Sequence, residues 1–551
     1  MTGFTLPFAR LGLLLTIAAL AAAYSFGEER GNIFFHLLHI HDLPAAAVMT
    51  ALLTLLVAAH SRLPDPRPAV LWFARHRNAI ATLLWVSLCA SALLVYRDHP
   101  LSMDEYSARF QAQVFAAGHL AGQWPPDLID ALLPKGFQGQ FLVVNHRTGA
   151  VASSYWPGFS LILSPFVVLG IPWACNPTLT AAALLLLARL ARDLSGSEEA
   201  RGWALVAALA SAGFTLNGIT YYSMPAHLFV NLLYTWLLIH PSAWRLLAAG
   251  LAGSLALCLH NPFPHAVFAL PWIVMLLLQP RPWRSLSLLA AGYLPLTVLL
   301  LVGWPLFLQA LSRVGSDAAM TAIASAATDG AGKSLGVFAA AARHFVLPDE
   351  NVAIARAAGL AKLWLWSAPL LMIAAWQGAK GSVHPAARPL AASAVLTFFA
   401  YLVVPFNQGH GWGYRYFHPA FFALPVLAAH FLASETLTSA GSNRLRLWGG
   451  AFLIGLVVMT PLRLNQMGSF VAGHLAQTPP RLNEDRTLRL WSPRSSYYGL
   501  DLIQNDPWLR GRNIILLTAG SEQDNTLLRT HFPSATIAAR NEYGITYRLQ
   551  Q

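Results

Sequence analysis

Apolar residues in this chain come in runs long enough to cross a lipid bilayer, and polar residues collect between them. A hydrocarbon core of ~30 Å takes about 20 mostly apolar helical residues. Such runs lie at 10–26, 44–60, 79–96, 176–192, 201–217, 225–240, 246–260, 265–279, 285–308, 361–377, 389–405, 417–434 and 447–463. The pattern predicts an all-α polytopic membrane protein with about 13 transmembrane helices. The first run lacks a basic start and a clear small-residue cleavage site, so it reads as a span and not as a signal peptide. The stretch 158–171, GFSLILSPFVVLGI, is short and interrupted by Pro165, which fits an interfacial or re-entrant segment.

Between the runs, cationic residues fall on alternate loops: Arg62, Arg67, Arg75 and Arg77; Arg189, Arg192 and Arg201; Arg245; Arg281 and Arg284; Lys380 and Arg388; Arg444 and Arg446. Short cytoplasmic loops carry an excess of such residues, which places these loops in the cytoplasm. Four regions then share the outer face: 97–175, the Ala-, Gly- and Ser-rich loop 309–360, the short loop 406–416 and the polar tail 464–551. The division is a transmembrane domain, 1–463, and an extracytoplasmic tail, 464–551. The tail's end reads as a small soluble α/β unit. Residues 513–519 and the pair 535–539 and 544–549 have strand character, and a helix starts at Ser521. No fixed-period repeat is visible.

Composition sharpens this picture. The chain has 551 residues, of which 56% are hydrophobic and only 11% charged, against roughly 25% in a soluble domain. Disorder and a self-standing soluble enzyme are excluded. Three cysteines, Cys89, Cys175 and Cys258, rule out a disulfide framework. The net charge of +12 follows from the loop arginines, so it is a topology signal and not a nucleic-acid footprint.

Candidate chemistry lies on the predicted outer face. Asp104 and Glu105 begin a helix-compatible stretch just after the third run, where acids also complement the helix dipole. A carboxylate there can serve as a general base or metal ligand. Phe110, Val114, Phe115 and Leu120 would form one side of a helix lying along the interface. Tyr155 and Trp156 suit headgroup level. Three further segments end spans on the same side: Tyr221, Tyr222 and His227; His260, Asn261 and His265; His410, Trp412, Arg415, Tyr416 and His418. Ionisable groups at membrane depth are costly and tend to be functional. Arg415, flanked by glycines, offers planar bidentate bonding to phosphate; a snorkelling anchor is the alternative. Asp104, His227, His260 and His265 have ligand chemistry for a divalent metal such as Zn²⁺, although no HExxH or DxD pattern is present. Walker A, Rossmann and GxSxG signatures are absent.

Met103-Asp104-Glu105, Tyr155-Trp156-Pro157-Gly158, the Ser223-to-His227 spacing and Gly413-Tyr414-Arg415-Tyr416 together resemble the GT-C integral-membrane glycosyltransferases. The layout resembles the bacterial group related to protein O-mannosyltransferases and the aminoarabinose transferase of lipid A, over about residues 79–463. The resemblance implies a bacterial inner-membrane enzyme. It would transfer a sugar from a polyprenyl-phosphate donor to a lipid, glycan or protein acceptor on the periplasmic side, with Asp104 as catalytic carboxylate and Glu105 as helper. Arg415, His260 and His265 would meet the departing phosphate. Two extra runs precede the acidic loop, and His260-Asn261-Pro262 stands where many relatives have Arg-Pro. A flippase for lipid-linked glycans, and a glycan ligase or polymerase, are the competing readings.

Overall fold

The computed structural model describes residues 5–29, 31–313, 347–382, 384–435, 441–482, 486–492 and 496–549. The chain divides into two compact units, one made of Met1–Val95, Trp173–Val298 and Phe338–Met467, the other of Tyr96–Pro172, Leu299–Val337 and Gly468–Gln551.

The first unit is helical. Six helices of the described chain are long and apolar enough to cross a membrane: Pro7–Phe26, Ile33–Arg62, Arg77–Leu94, Pro172–Ser195, Pro282–Arg313 and Asn443–Ala476. Two bent pairs raise the number to eight if each is one span. Length and composition thus account for six to eight of the thirteen expected spans among the described residues. The runs at 225–240, 246–260, 265–279, 389–405 and 417–434 form apolar helices of 17 residues or fewer, at or below the short end of the usual crossing length.

Two expected spans are broken and not straight. The run at 201–217 becomes Glu198–Leu209 followed by Ala212–Ile219 at 79°, and 361–377 falls across Glu350–Trp366 and Leu371–Gly381 at 94°. Pro369 cannot continue the first helix of that second pair, and Leu370 adopts φ +68°. The breaks support each other, because the freed Ala368 N–H donates to Ser211 Oγ at 2.9 Å. Helical residues also extend into the expected loop 309–360 at both ends, to Arg313 and from Glu350; its centre lies outside the described residues. The last span likewise continues to Ala476, past the polarity change at residue 464.

Three of these helices meet at a fully buried charge group. The Lys362 ammonium lies 2.5 Å from one Asp42 carboxylate oxygen and the Arg463 guanidinium 2.9 Å from the other. The Trp366 indole donates to the Asp42 carboxylate at 2.7 Å. A π-turn over Leu38–Asp42 shifts the local hydrogen-bond pattern, and the His41 carbonyl accepts from Arg463 at 3.0 Å and Gln466 at 2.9 Å.

The second unit joins the first outer segment to the tail. The Met103–Ala116 helix packs Met103, Tyr106, Phe110 and Val114 against Leu488, Leu490, Ile514 and Leu516. Phe110 and Val114 are core residues, Phe115 packs edge-on to Trp304, and Leu120 lies beyond the helix end. The helix stops at Gly118, φ +77°.

Two sheets complete this unit. Strands β1 (Gly122–Gln123), β2 (Leu142–Val144) and β3 (Ala150–Ser153) form an antiparallel sheet in the order β1-β3-β2. In the tail, β4 (Thr487–Trp491), β5 (Asn513–Leu517), β6 (Ala535–Asn541) and β7 (Gly544–Leu549) run in the order β5-β4-β7-β6. β4 pairs parallel to β5 and antiparallel to β7. The all-α expectation for the non-tail region missed the first sheet, whose strands are too short to show a period of two. The expected strands of the tail are present, and the expected helix is Ser521–His531. β4 was missed because it is buried along its whole length and carries Arg489 at its centre.

Candidate active site

In the second unit the site begins with a strained turn. Arg97 and Asp98 both have positive φ, +59° and +47°, a conformation unfavourable for residues with a Cβ. Arg109 anchors it by donating to the Asp98 carbonyl at 2.7 Å. Glu105, fully buried, ties the two ends together. Its carboxylate accepts from the Tyr96 hydroxyl at 3.0 and 3.1 Å and from the Leu101 N–H at 2.9 Å.

Asp104, one residue earlier, sits on a different face of the helix and is half-buried. The Tyr155 hydroxyl donates to Asp104 Oδ1 at 2.6 Å. Tyr155 is placed by the end of β3: Ser153 N–H donates to Gln111 Oε1 at 2.9 Å, and Tyr155 N–H donates to Ser153 Oγ at 3.2 Å. The following residue, Trp156, donates to the Leu301 carbonyl at 3.0 Å. Thus two adjacent acids do different things. Glu105 holds the turn, and Asp104 presents an oriented carboxylate.

A third carboxyl comes from the tail. Asp501 lies in the turn Gly499–Leu502. Gln504 Nε2 clasps this turn to the acidic segment, donating to both the Asp501 and the Pro100 carbonyls at 2.8 Å. Nearby, the Tyr106 hydroxyl donates to the Asn505 carbonyl at 2.6 Å. Burial, reinforced by the negative charges of Asp104 and Glu105, pushes the Asp501 carboxyl up to about 8. His99 is held neutral, lowered to about 3 by burial and by the nearby guanidiniums of Arg481, Arg109 and Arg489. Sequence reasoning missed Asp501, Arg481 and Arg489. Nothing local marks them, since their proximity to the acidic turn arises from a chain return of some hundreds of residues.

The other candidates lie in the first unit. Arg415 is buried, with its Nη2 donating to the Gln408 carbonyl and its backbone N–H to Gln408 Oε1 at 2.8 Å. Its guanidinium carbon lies 4.1 Å from the centre of the Tyr222 ring. Gly411, φ +135°, lets the Arg415 stem pass; a Cβ there would stand 2.4 Å from Arg415 Cδ. Tyr416 stacks on Tyr401 at 4.2 Å, and its hydroxyl donates to the Phe406 carbonyl at 3.2 Å. His410 is buried in the same loop.

The histidines do not assemble as the metal expectation required. His265 is bonded on both ring nitrogens, to Asn231 Oδ1 at 2.7 Å and to the Tyr293 hydroxyl at 2.6 Å. His227 is fully buried on Met224–Leu238. His260 is half-buried beyond the Ala243–Leu257 helix. The Asn261 side chain accepts from the Phe263 N–H at 3.2 Å, starting the next helix. Among the described residues, no group of three or more His, Cys, Asp or Glu stands where it could hold a metal ion.

The chain is therefore a mostly helical, multi-pass membrane protein with a small sheet unit at its C-terminal end and a carboxylate site built beside it. No family model matches it, and no curated protein does. Among solved structures it is similar to ArnT from Cupriavidus metallidurans in the apo state, with 13% identity, 86% of this chain and 96% of that chain covered, and a TM-score of 0.48. It is similar also to the same protein bound to undecaprenyl phosphate, with 12% identity, 86% and 97% covered, and a TM-score of 0.48.

Proposed function

We propose that this protein transfers a sugar from a polyprenyl-phosphate donor to a hydroxyl acceptor at the periplasmic surface of the bacterial inner membrane. The observation that carries the reading is the contrast between Asp104 and Glu105. One carboxylate is consumed in holding the turn, while the other is half-buried and fixed by Tyr155 at 2.6 Å. A positioned carboxylate of this kind suits general-base chemistry. Asp104 takes the acceptor's hydroxyl proton, and the acceptor oxygen bonds to the anomeric carbon. The bond from that carbon to the phosphate oxygen breaks, and its electron pair leaves with the phosphate. Arg415, with His260, stabilises the departing anion. The Tyr155 hydrogen bond orients Asp104.

The test is transfer of labelled sugar from polyprenyl phosphate by purified protein, with undecaprenyl phosphate as the carrier. Asp104→Asn is expected to lose about 10²–10⁴ in rate. Arg415→Ala is expected to lose turnover as well. Full transfer by both folded variants overturns the assignment. One observation favours a second reading, an ion-coupled flippase: Asp42, Lys362 and Arg463 form a buried charge group within long apolar helices. Ion-coupled lipid flux in sealed vesicles without a covalent product would establish that reading instead.

A further inference from the structure

We propose that the cavity between the starts of the Ala243–Leu257 and Pro282–Leu296 helices binds the phosphate headgroup of an anionic phospholipid of the surrounding bilayer. These helices run parallel and close. Gly250 and Gly292 leave room for backbone contact, because a Cβ on Gly250 would stand 2.1 Å from the Leu289 carbonyl and one on Gly292 2.1 Å from the Leu247 carbonyl. Their first turns therefore arrive side by side.

The cavity there has a volume of about 310 Å³ and is lined by Ser242, Gln279, Arg281, Arg284 and Ser285 above Leu246. Its polar groups suit an anion: two guanidiniums and two hydroxyls. Neither guanidinium makes an ion pair or hydrogen bond among the described residues. Residues 201–316 contain no Asp or Glu at all, so this stretch of sequence supplies no internal counterion. Both helix starts also lack a side-chain cap, leaving first-turn N–H groups that favour negative charge.

The surroundings identify the anion as a lipid. Trp244 is 60% exposed, Trp283 75% and Leu278 82%. Apolar and indole surface at that level is what a headgroup region accommodates. The third nearby cation differs: Arg245 lies over the rings of Trp236 and Trp244, at 4.9 and 5.4 Å. Its charge already has a partner surface. This site is separate from the candidate donor residues, since His260 lies past the far end of a 15-residue helix, about 22 Å along its axis.

Native mass spectrometry of the detergent-purified protein tests this. The wild type is expected to retain phosphatidylglycerol and to release phosphatidylcholine. Arg281→Ala with Arg284→Ala is expected to lose at least about tenfold of the phosphatidylglycerol-bound fraction, the loss of one 1.4 kcal/mol contact or more. Arg245→Ala is expected to retain it. Equal retention by the double variant overturns the proposal, and so does an equal loss in Arg245→Ala, which would mean general charge attraction. Displacement of the lipid by millimolar inorganic phosphate would show a free-anion site instead. The comparison of the two lipids on unaltered protein needs no variant to fold, and equal retention of both overturns the proposal.

Discussion

Replacing Asp42 by Asn should damage this protein more than any surface change, and the structure sets the size of the effect. The carboxylate is 1% exposed and faces two cations, Lys362 at 2.5 Å and Arg463 at 2.9 Å, themselves 2% and 0% exposed. At an effective dielectric near 20, each contact is worth about 6 kcal/mol of gross attraction. Most of that is offset by the cost of removing the charges from water. Removing one partner of a buried pair leaves about 3–5 kcal/mol of net destabilisation. The group carries one net positive charge in the wild type and two in Asp42→Asn. Adding Lys362→Met returns it to one, so the double variant should recover a large part of the loss. Unfolding free energies from SDS titration in mixed micelles would measure both. A loss below about 1 kcal/mol in Asp42→Asn, or no recovery in the double variant, would show that the group is solvated and that the reasoning fails.

Other outcomes follow from the remaining sites. The Asp501 carboxyl, at about 8, keeps its proton in the folded state while the unfolded chain ionises near 4. Its contribution is therefore intact below pH 4 and is lost as pH rises toward 8. Asp501→Asn should leave thermal stability unchanged at pH 4 and raise it at pH 8.5; a variant less stable than wild type at pH 8.5 contradicts this. Tyr155→Phe should lower turnover less than Asp104→Asn does and shift the pH–rate profile, because it removes orientation and not the base; an unchanged profile would separate Tyr155 from the chemistry. Gly411→Ala should reduce activity through Arg415, since the added methyl meets Arg415 Cδ at 2.4 Å in a backbone region of φ +135°; wild-type turnover argues against Arg415 as a ligand. A reporter fused after Gln551 should signal outside the cytoplasm; a cytoplasmic signal overturns the predicted orientation.

Much of the scaffold could be read along the chain because its physics is local. A run of apolar residues becomes a helix wherever it falls, since backbone groups in lipid must bond within the segment. For the same reason Ser521–His531 and the β6–β7 hairpin were legible: turn and cap residues act on neighbours. Asp104 stood out in the sequence as one of few acids beside a span. What the sequence could not display was set by contacts between distant segments. The bends at Ser211 and Leu370 depend on one break stabilising the other. Glu105 resembles Asp104 in composition and position, and only the packing of Tyr96 and Leu101 turns it inward. Asp501 looks like an ordinary tail acid until chain return sets it against Asp104. Arg489 hid a strand, because a charge mid-strand contradicts the local pattern and is tolerated only where Asn513 accepts from it at 2.9 Å. Local hydropathy determined which segments are helices and which residues could do chemistry. Long-range hydrogen bonding and burial decided how those residues are held.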